Sequence, residues 1–149
     1  MQWKAGAVGL VVAAMAAAGA ARAADPQVEL GRRLYAGELA LAGTIQGHAQ
    51  PLPPLTARCS NCHARGSAEK AASGAVSFAP LLTRDRLLGS IARRGGPPSR
   101  YDAALFCRLL RSGIDPAVML IPRQMPRYQI DDAQCHALWA YLVEDGGAR

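Results

Sequence analysis

Strict alternation of apolar and polar residues is scarce in this 149-residue chain, which argues against a protein built mainly of half-buried strands. Long apolar runs are scarce too. After residue 20 no segment approaches the roughly 20 residues of a membrane-spanning helix. Basic residues outnumber acidic ones by 17 to 11, but the arginines are scattered and form no single stripe, which excludes a nucleic-acid surface of the usual kind. There is no internal repeat, and the length suits one small domain. Glycine and proline are plentiful, at fifteen and ten, and they break up the middle of the chain.

The one long apolar run lies at the start. Lys4 precedes an uncharged stretch from Ala5 to Ala20, and Ala21-Arg22-Ala23 offers a small-x-small cleavage pattern. That is the layout of a secretory signal peptide over residues 1–23, with the mature domain spanning 24–149. The run is too short for a membrane anchor. Loss of Lys4 and Arg22 lowers the formal charge from +6 to about +4, which suits docking on acidic partner surfaces. The expected location is the bacterial periplasm, an oxidising compartment.

Cysteine is used sparingly, and its four positions carry the most information. Cys59-Ser60-Asn61-Cys62-His63 has the spacing by which a chain is tied covalently to haem. Each cysteine sulfur can add to one haem vinyl group, and the adjacent histidine then lies under the iron. CxxC alone would equally fit a dithiol redox site or a zinc site. No second CxxCH occurs, so one haem is expected. Cys107 and Cys135 remain as an even pair, for which a disulfide is favoured over two buried free thiols.

The segments around this motif read as helices and loops. Asp25-Pro26 opens a helix running to about Gly37, with Gly31 and Tyr35 on one face. A glycine inside a helix lets another helix approach closely. Residues 38–57 read as a long irregular loop. A second helix is expected from Arg84 to Ala92, and a third from Ser99 to Gly113 with Asp102 in a capping role. The last is capped by Asp131 and Gln134, with Ile130 and Cys135 as a staple. Its apolar stripe comprises Cys135, Leu138, Trp139 and Leu142, and Gly146-Gly147 end it. Before it, Met125-Pro126 offers a thioether on non-helical chain, suited to serve as a second iron ligand. Met119 is the rival, and core filling is the plain reading of either.

In this order the pieces resemble the class I c-type cytochromes. The resemblance rests on Gly31 and Tyr35, the Cys59–His63 motif, Pro80-Leu81, and Met125-Pro126-Arg127-Tyr128 leading into Leu138-Trp139-Ala140-Tyr141-Leu142. It implies a small all-α fold of several short helices and long loops around one covalent haem c. It further implies His63 as proximal ligand, Met125 as distal ligand, and the Pro80 carbonyl as acceptor for the second ring nitrogen of His63. Gly31 and Tyr35 would cross the last helix near Trp139 and Leu142. The implied activity is one-electron transfer between redox partner proteins, without catalysis. Residues 36–57, between Tyr35 and the motif, are an insertion relative to the family's basic pattern, and the Cys107/Cys135 pair is a further addition to it. Two other classes stay open. One is a haem enzyme or gas sensor with an open sixth position, assisted by His48 or His136. The other is a colourless dithiol or zinc protein.

Overall fold

A computed structural model describes residue 1, residues 25–67, residue 69 and residues 79–144. The expected signal peptide, apart from residue 1, and its cleavage site lie outside these residues; the last helix ends at Val143, with Glu144 already extended, ahead of the expected Gly146-Gly147 stop. The described elements run in the order α1 (Pro26–Ala36), β1 (Ala42–Thr44), a 3-10 turn (Cys59–Asn61), α2 (Arg84–Leu88), β2 (Ile91–Ala92), β3 (Pro98–Ser99), α3 (Ala103–Ser112), β4 (Arg127–Gln129) and α4 (Asp132–Val143). No helix among the described residues is long and apolar enough to cross a membrane.

The expected all-α class is overturned. Two small antiparallel sheets accompany the helices, so the architecture is mixed α and β. β1 pairs with β4, placing Gly43 opposite Tyr128, and β2 pairs with β3. The first sheet lies in the 38–57 stretch expected to be irregular. Its register follows from close approach: a Cβ on Gly43 would stand 3.0 Å from the Tyr128 ring. The second sheet shortens the expected 84–92 helix, which stops at Leu88 because Gly89 and the residues after it are extended. Ser99 belongs to β3 and does not open α3. Asp102 caps α3, its carboxylate accepting from Leu105 N at 2.7 Å.

The helix ends otherwise follow their caps. Asp25 accepts from Gln27 N at 2.8 Å, and Gly37 leaves α1 at φ 75. Asp131 and Gln134 form a reciprocal capping box on α4, satisfying two of its orphan amides. Gly113 closes α3 in the left-handed region. Cys107 and Cys135 are joined in a disulfide with Cα atoms 5.8 Å apart, fixing α3 to α4. The core lies between α1, α3 and α4 and includes Leu34, Tyr35, Phe106, Leu110, Leu138 and Leu142.

α1 and α4 meet at Gly31. A Cβ there would lie 2.0 Å from Ala137 O and 2.7 Å from Tyr141 Cβ. At Gly31 the nearest atoms belong to Ala137 and Tyr141, on the same stretch of α4 as the expected Trp139 and Leu142. Tyr35 and Tyr141 rings sit with centroids 5.5 Å apart, while Trp139 turns to Phe106 at the same separation. The apolar residues of α4 surround much of the helix, so spacing alone could not select the face.

Asp115 organises the loop between α3 and β4. It is fully buried and forms a salt bridge with Arg94. Its carboxylate also accepts from Met119 N at 2.8 Å, its own N–H donates to Met119 O at 2.9 Å, and its carbonyl accepts from Arg108 at 2.8 Å. Arg94 at φ 49 and Val118 at φ 62 are the non-glycine residues with positive φ among those described. Each such conformation costs about 1–3 kcal/mol.

Gly31→Ala is expected to destabilise the fold. Helix propensity would gain about 1 kcal/mol. The added carbon, however, meets backbone that cannot swing away, and overpacking of this kind costs about 3 kcal/mol. A net loss near ~2 kcal/mol, read by chemical denaturation, is the expected result; an unchanged midpoint would show that the helices do not cross at this glycine.

Candidate functional site

Cys59, Ser60 and Asn61 form a single 3-10 turn, closed by Cys62 N and His63 N donating to Cys59 O at 3.2 and 2.9 Å. Neither Cys59 nor Cys62 is in a disulfide. The turn brings both cysteines and His63 to one short bend of chain, on the side of the molecule where α1 ends.

Hydrogen bonds from three directions, among others, hold the segment at His63 and Ala64. Tyr35 donates from its hydroxyl to His63 O at 2.7 Å. Leu82 N donates to Ala64 O at 2.8 Å, so residues 80–82 run beside His63-Ala64. His63 Nδ1 stands 2.8 Å from Pro80 O. A carbonyl can only accept, so Nδ1 carries the proton and Nε2 of the neutral ring carries a lone pair. Burial lowers the His63 pKa, with the Pro80 carbonyl opposing, so the neutral ring is the form held at neutral pH. This is the state required of an imidazole that binds a metal.

The Cys59 thiol is in the opposite condition to a catalytic thiol. Burial pushes Cys59 up to about 12, the nearby Cys62 adds to the rise, and the Cys59 backbone amide opposes it. Reactive dithiols work by a lowered pKa. Burial likewise raises the hydroxyls of Tyr35 and Tyr128, keeping both as neutral donors.

Tyr128 ties the methionine loop to the cysteine turn. Its hydroxyl donates to Ala57 O at 2.8 Å, two residues before Cys59. Met125 closes a turn through its N–H to Pro122 O at 3.1 Å, and Arg127 donates to Met125 O at 2.6 Å. Met125, Cys59, Leu52 and Leu82 all pack against the apolar cluster containing Leu34, Tyr35, Ala57 and Tyr128. Met119 is not in that cluster and is exposed. Met125 and Cys59 thus both pack on the same core, and Met119 does not.

The other sequence candidates lie elsewhere. His136 is exposed, with Nδ1 against Asp132 O of its own helix at 2.8 Å. His48 lines a shallow surface cleft with Ile45, Pro51 and Leu52. Among the described residues no group of three or more His, Cys, Asp or Glu side chains is arranged to hold a metal ion.

The residues present fit a covalent haem. They supply two cysteines at vinyl spacing, a neutral imidazole with one nitrogen already engaged, and a soft sulfur in the same apolar cluster. Sequence reasoning missed two supports of this arrangement. One is the Tyr128–Ala57 bond, although Tyr128 belonged to the quoted Met-Pro-x-Tyr stretch. The other is Arg65, whose guanidinium lies 3.9 Å over the Tyr141 ring and donates to Tyr141 O. Local spacing carries no signal for either.

With residues 1–23 deleted and Cys62 replaced by serine, the unmodified Cys59 thiol is expected to stay protonated at neutral pH. Its alkylation by iodoacetamide should rise about tenfold per pH unit towards pH 12, because only the thiolate reacts. A rate that levels off below pH 9 would show a reactive thiol instead.

No protein-family model matches this chain, and neither the curated proteins nor the solved structures give a match. The reading of the site therefore rests on its own residues and their geometry.

Proposed function

We propose that this protein is an exported one-electron carrier of the c-type cytochrome kind, active in the bacterial periplasm. Cys59 and Cys62 would hold one haem through thioether bonds, and His63 and Met125 would bind its iron. When bound, the haem supplies a reversible ferrous–ferric couple. The observation that carries this reading is the setting of His63. It follows directly on the paired cysteines and is fixed by Pro80 O in the tautomer that presents Nε2 as a ligand.

The remaining groups support carriage over catalysis. A thioether ligand favours ferrous iron and so raises the potential. The apolar cluster around Cys59, Leu82 and Met125 disfavours the extra charge of the ferric state. With Met125 as well as His63 holding the iron, no open place would remain on it for a substrate. His48 and His136, the histidines weighed for acid–base work, are both exposed. A high pKa at Cys59 speaks against dithiol exchange. The excess of arginine would steer the protein to acidic redox partners and raise the rate of encounter at low salt.

Visible spectra of the exported protein and two variants test the reading. The parent is expected to be low-spin with a methionine–iron band in the ferric state. His63→Ala should abolish stable haem assembly. Met125→Ala should retain attached haem, lose the band and bind added imidazole, with a lowered potential. A low-spin spectrum and unchanged potential in Met125→Ala would remove Met125 as ligand, and loss of the band in Met119→Ala would transfer the role. A colourless exported protein would refute the reading altogether.

A further inference from the structure

The loop between α3 and β4 presents Val118, Met119 and Leu120 to solvent, at 73%, 38% and 63% exposure. Three consecutive large apolar side chains at a loop tip are an unusual surface feature. The tip is not loosely held. Val118 N donates to Asp115 O at 3.0 Å, both polar backbone groups of Met119 bond to Asp115, and Ile121 N donates to Gly113 O at 2.9 Å. Val118 is a β-branched residue at φ 62, a conformation that such residues seldom adopt. The chain thus holds an exposed valine where glycine would be easier. Strain that does not serve packing points to function.

The surroundings of the tip are basic. From Ala103 to Ile130 the sole acid is Asp115, which is buried and bound to Arg94, against four arginines; Arg108 reaches the Asp115 carbonyl, Arg123 follows the tip, and Arg111 is paired outside it with Asp132. From Ile91 to Tyr101 there are three more arginines and no acid. The two segments adjoin, since a Cβ on Gly96 would lie 3.1 Å from Met119 Cγ. An apolar centre within a charged rim is the anatomy of a protein interface.

We infer that the Val118-Met119-Leu120 tip with its arginine rim is a docking surface for a partner protein that offers an apolar hollow edged by carboxylates. The opposite charges steer the encounter and orient it. Leu120 and Val118 then enter the hollow and set the rate of departure, while Asp115 keeps the tip in its bound shape before contact. The redox character of the partner rests on the carrier reading; the location of the surface does not.

The test uses the exported, haem-loaded, isotope-labelled protein at low ionic strength, with an acidic blue-copper protein in its cuprous form as surrogate partner. NMR shifts are expected to cluster at residues 93–96 and 116–123, and binding should weaken as salt is raised. Leu120→Ser and Val118→Ser should each weaken binding roughly tenfold with little change in melting temperature. Val118→Gly should also weaken binding while raising the melting temperature, because glycine takes positive φ without steric cost. Electron transfer to the cupric surrogate should slow in parallel, whereas reduction of ferricyanide should not. Shifts confined to another face, full binding by Leu120→Ser, or no binding at all overturns the inference. So does a large ring-current shift of the Leu120 methyls before partner is added, which would put them against the haem. A Leu120-dependent dimer that leaves the surrogate unbound overturns it as well. A colourless protein that still binds through this loop would sink the carrier reading and leave the docking surface standing.

Discussion

The absence of a side chain at Gly31 is the constraint on which the rest depends. It lets the backbone of α4 lie where a Cβ would otherwise be, 2.0 Å from Ala137 O. That approach sets the depth at which Tyr35 and Tyr141 meet. Tyr35, one turn further along α1, can then reach His63 O with its hydroxyl. Tyr141, one turn along α4, supports the Arg65 guanidinium. A single small residue thus fixes the two tyrosines that bracket the segment after the cysteines. Packing energy from α1 and α4 is converted into position at His63, because hydrogen bonds of about 1 kcal/mol each cannot by themselves order a loop of this length.

The second tether comes from the segment between α1 and the cysteine turn. Added length in a loop is entropically mild, about 0.6 kcal/mol for each doubling, so such a stretch needs only modest compensation. Here it receives more. β1 pairs with β4, Pro51 bridges to Thr44, and Tyr128 reaches Ala57 O. This segment therefore links the methionine loop to the cysteine turn. The disulfide acts on the other side, joining α3 to the first turns of α4, so the loop between them starts and ends on elements fixed to each other.

Features governed by one or two neighbouring residues were readable in the sequence. Asp25-Pro26, Asp131 with Gln134, and Gly113 act at helix ends through local geometry, and each is found at the expected end. The two sheets were not readable, because strands of two or three residues are too short to show a period. Ile91-Ala92 follows an apolar run and looks like its continuation, yet Gly89 ends the helix and Ile91 pairs with Ser99. Ser99 and Asp102 are both good caps, and only the pairing of Ser99 in β3 decides for Asp102. At the site, His63 and the cysteines were legible because their spacing is itself chemistry. The tyrosine and arginine supports were not, because they join residues far apart in the chain.

Asp115 shows how a polar group can be held in the interior of such a small domain. An isolated buried carboxylate is prohibitive, but this one is matched by Arg94 and by a backbone amide. The two strained residues, Arg94 and Val118, both lie on its partners' path: one supplies the charge, the other makes the turn between Asp115 and Met119. At Arg94 the strain has a stabilising return, since it delivers a guanidinium to a buried charge. At Val118 it has none within the fold, because the side chain is exposed and the turn needs only its backbone. Stability alone would place glycine or asparagine at that position. The valine is therefore explained by what lies outside the molecule or it has no physical explanation, and the arginines around it indicate the sign of charge to look for.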